Sequence, residues 1–430
     1  MLFSAIPFRG YYEPLPTNKK MNYPLILAFL TVNFSLFAQH DINSVMPEKV
    51  GLSSDSLKKM NNHFHKLVDN NKLPGIQTSV MRHGQLVHFD SYGYADIKNK
   101  KALDTESIFR IFSMTKPIVS VALMQLYEQG KFKLDDPVAK YIPQLDSVFV
   151  YTDSAINLAK KTITIRQLLT HTAGYGNGRS PYPKLNQLYR KANLFNSENN
   201  KEFVEALSKI PLQFEPGTNW QYGHSTAICG YLVEVLSGKN LNIYLKEELF
   251  LPLGMNNTFF QVPLEKVNNF VVGYRWNKTQ GITVSDTPEN SRYTKNMTMY
   301  HAGGGLVSTT LDYLRFCQML LNKGTLNHTQ ILKQETVDLM LQDHIQETRN
   351  YQPNLKIRTG ESGFGLGFVI SGSTPDTLEK VFGWGGLAGT YFKIDVENNL
   401  IYILMVQLRP HSQLKLRSTF QNFIKSALID

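Results

Sequence analysis

Apolar positions recur with two different periods in this chain, and the period changes with location. Residues 52–67 carry apolar side chains three and four apart, the spacing of one helix face, and Ser53 or Ser54 opens the run as an N-cap. Residues 77–82 and 85–95 alternate instead, as strands do, with His83 and Gly84 suited to the turn between them. The apolar run 118–127 follows Pro117 and reads as a helix that ends near Gly130. At the far end, residues 380–384, 390–396 and 400–408 read as three strands, the last two turned by Glu397, Asn398 and Asn399. An amphipathic helix over 414–429 closes the chain. Strands therefore gather at both ends, with helix-rich sequence between. This pattern predicts an α+β fold: one antiparallel sheet built from both chain ends and flanked by helices. Residues 39–134 and 311–430 form that part, and a mainly helical domain is inserted over 135–310. The active site is expected in the cleft between the two.

Composition narrows the classes. The chain has 430 residues, 42% of them hydrophobic, enough for a large core. Its formal charge of +10 is spread along the sequence without a compact basic run, which argues against a nucleic-acid partner. Lys19, Lys20 and Met21 precede an apolar segment, 23–38, that ends on Ala38 before a polar stretch. This is the layout of a secretory signal peptide cleaved near Ala38, so residues 1–38 read as leader and the mature protein as periplasmic or secreted. The start codon is then Met21 or Met1. An uncleaved anchor is the alternative, and no other stretch is expected to span a bilayer. Cys229 and Cys317 sit in apolar runs and read as buried small hydrophobes. His63 and His65 are two apart and would not share a helix face, so no metal site is expected. No phosphate-loop or dinucleotide glycine motif occurs, and no cofactor is expected.

The chemistry centres on Ser113-Met114-Thr115-Lys116. A serine and a lysine three apart lie on one helix face. A serine hydroxyl is a weak nucleophile until a neighbour takes its proton, and a partly desolvated lysine can assist. Pro117 is tolerated in the first turn of a helix, so the helix should begin at about Ser113. That places the hydroxyl near unpaired N–H groups and a positive dipole end.

Two further segments give this motif its context: Trp220-Gln221-Tyr222-Gly223-His224, and Trp384-Gly385-Gly386-Leu387. With Ser113 and Lys116, their order and separation resemble the serine β-lactamase and penicillin-binding-protein superfamily. The chain looks most like the class C branch and its esterases with a β-lactamase fold. The likeness runs from about Lys49 onward and takes in 164–174, 252–255, 303–316 and 363–368. Two departures matter. Tyr222-Gly223-His224 stands where class C enzymes have Tyr-x-Asn. Trp384-Gly385-Gly386 stands where the superfamily often has K-T-G, and neither K-T-G nor S-D-N occurs in the chain. Tryptophan offers an apolar face and one N–H rather than a cation, which argues for a neutral ester or amide over an anionic antibiotic.

The resemblance implies roles. Ser113 would attack a carbonyl carbon and form an acyl-enzyme. Tyr222 would be the general base, with Lys116 the charge that makes a tyrosinate tolerable. Which of the two holds the proton stays open. The N–H groups of Ser113 and Leu387 would form the oxyanion hole. Trp384, Gly385 and Gly386 would contact substrate, the glycines by letting the strand approach it closely. His224 would hydrogen-bond the acyl group, orient Lys116, or be structural, and His171 reads as architectural. Residues 180–200 are a candidate lid. The leading reading is a carboxylesterase acting on small esters. Its rivals are a penicillin-binding peptidase or weak β-lactamase, a transesterase, and a non-catalytic scaffold of the same fold. The oligomeric state is not legible.

Overall fold

Strands from opposite ends of the chain meet at the centre of one sheet. In the computed structural model, which describes residues 45–152, 155–352, 355, 357, 363–371 and 381–429, this sheet has eight strands. Strand β1 (Gly75–Arg82) pairs antiparallel with β2 (Gln85–Asp96) on one side and with Leu400–Met405 on the other. Gln77 lies opposite Met405 and Arg82 opposite Leu400. Beyond Leu400–Met405 follow Tyr391–Asp395, Val381–Gly385, Val369–Ser371 and Gly363–Phe364; Lys101–Ala102 extends the other edge. Every pairing is antiparallel. The α+β expectation is met. The signal-like segment 23–38 and Lys380 lie outside the described residues.

Both central strands are buried along their whole length, so both faces of the sheet must be covered. Successive side chains point to opposite faces. Leu400, Tyr402 and Leu404 pack with Ile76 and Val80 against Leu57, Met60 and Phe64 of helix α1 (Ser54–Asp69) and Phe420 and Ile424 of helix Leu416–Ala427. Ile401, Ile403 and Met405 join the larger core that holds α2 (Thr115–Glu128) and helix Thr310–Leu321. Ser53 caps α1 by accepting the Ser56 N–H. His83 and Gly84, at φ 50 and 74, supply the left-handed pair that a two-residue hairpin needs.

One expected strand is broken. Residues 400–408 do not run through: the main sheet ends at Met405, and Leu408–Arg409 joins Gly273–Asn277 in a separate three-stranded sheet with Gly281–Asp286. Gln407 makes the break. Its side-chain amide donates to the Arg110 carbonyl at 3.0 Å and its oxygen accepts the Arg110 N–H at 3.3 Å, so it pairs like a strand residue sideways.

Residues 135–310 supply helices Pro183–Ala192, Asn200–Ser208 and Ser225–Ser237, together with the hairpin of Gly273–Asn277 and Gly281–Asp286. Helix Ser225–Ser237 packs directly on α2. This contact positions the site, because the Tyr222 segment leads into one helix and Ser113 into the other.

Candidate active site

Ser113 lies on a 3-10 turn, Phe112–Met114, that runs into α2 at Thr115. The helix therefore starts two residues later than the sequence suggests, and Pro117 falls in its first turn, where its missing N–H costs nothing. Phe112 has φ 45, a left-handed conformation that is costly for a bulky residue. Neighbours hold it there: Ile111 donates its N–H to the Leu306 carbonyl at 3.2 Å, and Gly304 packs against the Phe112 backbone. Lys116, one turn on, is 5% exposed; its ammonium donates to the Gly303 carbonyl at 2.5 Å and stands 4.7 Å from the centre of the Tyr222 ring.

Tyr222 reaches the serine from the other side. Its hydroxyl donates to Ser113 Oγ at 2.6 Å. The next residue must be glycine, since a Cβ on Gly223 would sit 2.2 Å from the Tyr175 carbonyl oxygen. The Tyr222 ring is held by His171 at 5.0 Å and Trp384 at 5.4 Å between ring centres, with Phe364 packed on both of those. Ser113, Lys116 and Tyr222, 109 residues apart at the extremes, thus meet in one cluster.

These three side chains line a cavity of about 730 Å³ together with His224 and Leu387. Leu387 is half exposed, and its N–H donates to no group among the described residues. The loop carrying it is fixed on both sides: Gly386 donates to the Thr390 carbonyl at 2.8 Å, and Leu408 donates to the Ala388 carbonyl at 3.0 Å.

Trp384, Gly385 and Gly386 are placed differently from expectation: none of them lines this cavity. Trp384 is 9% exposed and buttresses Tyr222 from behind. The glycines permit close packing within the protein. A Cβ on Gly386 would meet Thr390 Oγ1 and the Ile111 carbonyl, two residues before the nucleophile, at 2.1 and 2.4 Å; one on Gly385 would meet the Arg417 guanidinium at 2.5 Å.

His224 borders the cavity, ringed by Phe203 at 5.5 Å, Phe195 and Tyr189 at 6.0 Å, and His301 at 6.5 Å. Burial, aided by the Lys116 charge, pushes its pKa down to about 4. The sequence did not single out His301, which faces the same space; its Nε2 is buried and has no partner among the described residues. Burial holds His301 and His171 well below the usual histidine value. His88 and His411 are also lowered to about 4, chiefly by burial. Of the expected lid, Phe195 lines the cavity and helix Pro183–Ala192 carries Tyr189 beside it.

These histidines set an acid limit on stability. Each has a folded pKa below its unfolded value near 6.5, so between that value and about 4 the unfolded chain binds protons that the native state does not. Their stabilising contribution is present above pH 6.5 and lost as pH falls through that window. Each group contributes at most roughly 1.4 kcal/mol per pH unit. The urea midpoint should fall continuously from pH 7 to pH 4.5 at constant slope; a flat midpoint would contradict the buried neutral rings.

The fold and the grouping of Ser113, Lys116 and Tyr222 define a class. This chain belongs to the Beta-lactamase family, whose model matches residues 60–420. It is 30% identical to Protein Rv1367c of Mycobacterium tuberculosis, over 81% of this chain and 89% of that one. It is 27% identical to the lovastatin esterase of Penicillium rubens, over 81% of this chain and 92% of that one. Among solved structures, simvastatin synthase (LovD) from Aspergillus terreus superposes with a TM-score of 0.73 at 24% identity, over 86% of this chain and 98% of that one, a likeness of fold.

Proposed function

We propose that the protein is a serine hydrolase that forms an acyl-enzyme on Ser113, and that it acts as a carboxylesterase on small esters. The observation that carries this reading is the 2.6 Å contact between Tyr222 and Ser113 with a buried ammonium beside the tyrosine ring. Once the tyrosine is ionised, that contact carries the serine proton the other way. Ser113 Oγ then bonds to the carbonyl carbon, its proton passes to Tyr222, and the carbonyl oxygen becomes an oxyanion facing the Leu387 and Ser113 N–H groups. Collapse expels the alkoxide, which takes the proton from Tyr222. A water molecule repeats the sequence on the acyl-enzyme and frees the acid.

Relatedness to an esterase supports the ester preference. The cavity is lined by Ser113 and Leu387 from the outer segments of the chain and by Tyr222 and His224 from the segment between them. Among the described residues no helix is long and apolar enough to cross a membrane; export through the segment 23–38 remains part of this proposal.

The test is turnover of short-chain p-nitrophenyl esters beside nitrocefin and a D-Ala-D-Ala peptide. Ester hydrolysis exceeding the other two by at least about a hundredfold in kcat/KM is expected. Steady cleavage of the peptide with weak ester turnover would replace this reading with that of a peptidase.

A further inference from the structure

The cavity that holds Ser113 is strongly one-sided in charge. Arg110, Lys116, Arg179, Arg292 and Arg409 line it, against the single carboxylate of Asp286 among the described residues. That carboxylate is already engaged: one of its oxygens accepts Arg110 Nε at 2.6 Å and the Ser291 hydroxyl at 3.0 Å. Lys116 is committed to the Gly303 carbonyl. Arg292 and Arg409 have no carboxylate in salt-bridge range among the described residues. Arg292 reaches the Tyr293 hydroxyl at 3.3 Å, and Arg409 lies 5.4 Å from the centre of the Phe112 ring, next to the nucleophile in sequence.

Arg409 is also held among like charges. Its strand pairs in parallel with Gly273–Asn277, which puts it directly opposite Arg275. Like charges opposite each other across strands are unfavourable. Arg409 is half-buried, and burial first, then Arg275, push its guanidinium below its usual value, with Asp286 offsetting them only in part. A half-buried cation beside a second and a third, with the nearby carboxylate bonded to Arg110 instead, is a cost to the folded state that a bound anion would relieve.

We propose that Arg409 and Arg292 form an anion subsite in the Ser113 cavity, and that the substrate is an ester bearing a carboxylate on one arm. This rests on the hydrolase reading above and deepens it. It reverses the expectation of a neutral substrate drawn from Trp384, because that ring lies behind Tyr222 and outside the cavity. A planar guanidinium fork matches a carboxylate with two parallel hydrogen bonds, which a neutral amide cannot accept equally well. The subsite is built from the strand Leu408–Arg409 and the loop after the Gly281–Asp286 strand, not from the strand Val381–Gly385 that precedes Leu387.

The test compares mono-p-nitrophenyl adipate with the same ester whose distal carboxylate is capped as a primary amide. For the wild type, kcat/KM should favour the carboxylate by about ten- to a hundredfold, and the preference should shrink with added salt. Arg409→Gln and Arg292→Gln should each move this ratio toward one. Because both esters are read on one preparation, a partly misfolded variant does not mimic that result. A ratio near one in the wild type, or one left unchanged by both substitutions, overturns the proposal. A second measurement separates it from the hydrolase reading: calorimetric binding of monomethyl adipate and dimethyl adipate to Ser113→Ala. If the wild type hydrolyses neither ester, the hydrolase reading fails. The subsite then stands if the half-ester binds at least about tenfold tighter and Arg409→Gln erases the difference, and falls if the two bind alike.

Discussion

Ser113→Ala is expected to lower ester kcat/KM by roughly 10⁴- to 10⁶-fold, the scale seen when a covalent nucleophile is removed. The substitution deletes one oxygen whose described partner is the Tyr222 hydroxyl, and that hydroxyl borders an open cavity where water can replace it. The strained Phe112 turn is fixed by Leu306 and Gly304, not by the serine side chain, so the fold should persist. Thermal unfolding within a few degrees of wild type, with loss of the acyl adduct by intact-protein mass spectrometry, is the predicted pair of observations. Retention of more than about one per cent of activity would mean that another group attacks the carbonyl.

Tyr222→Phe should reduce kcat by about 10²- to 10⁴-fold and change KM far less, because positioned proton transfer contributes on that scale in the transition state. The ring keeps its packing between His171 and Trp384, so the loss isolates the hydroxyl at 2.6 Å from Ser113. The variant also leaves Lys116 bonded to the Gly303 carbonyl. A fall of less than fivefold would assign proton transfer to the lysine instead, and a loss confined to KM would make Tyr222 a binding residue. Pre-steady-state release of p-nitrophenol distinguishes slowed acylation from slowed deacylation.

Much of this arrangement is legible in the sequence. Helix α1 announces itself by spacing and by Ser53, the first hairpin by His83 and Gly84, and the shared sheet by alternation at both chain ends. Ser113 and Lys116 stand out as a local S-x-x-K spacing, and Tyr222 is singled out by the family resemblance; the structure brings the three together. What escaped depends on juxtaposition. The break after Met405 is made by Gln407 bonding to Arg110, 297 residues away, and no local propensity encodes it. The glycines at 385 and 386 look alike whether substrate, Ile111 or Arg417 presses on them. Arg292 and Arg409 are ordinary surface types in a basic chain, and His301 precedes a glycine run with no signal of its own. Their meaning appears when Asp286 is found to be occupied by Arg110.

The pairing of β1 with Leu400–Met405 bears on how the protein is made. A ribosome delivers Ser113, Lys116 and Tyr222 long before residue 405 emerges, yet the sheet beneath α2 lacks its middle partner until then. Closing so long a loop is slow and leaves apolar edges exposed meanwhile. The nascent chain therefore lacks the middle pairing of its sheet until residues 400–405 have emerged, and the grouping of Ser113, Lys116 and Tyr222 that rests on that sheet is completed only afterwards.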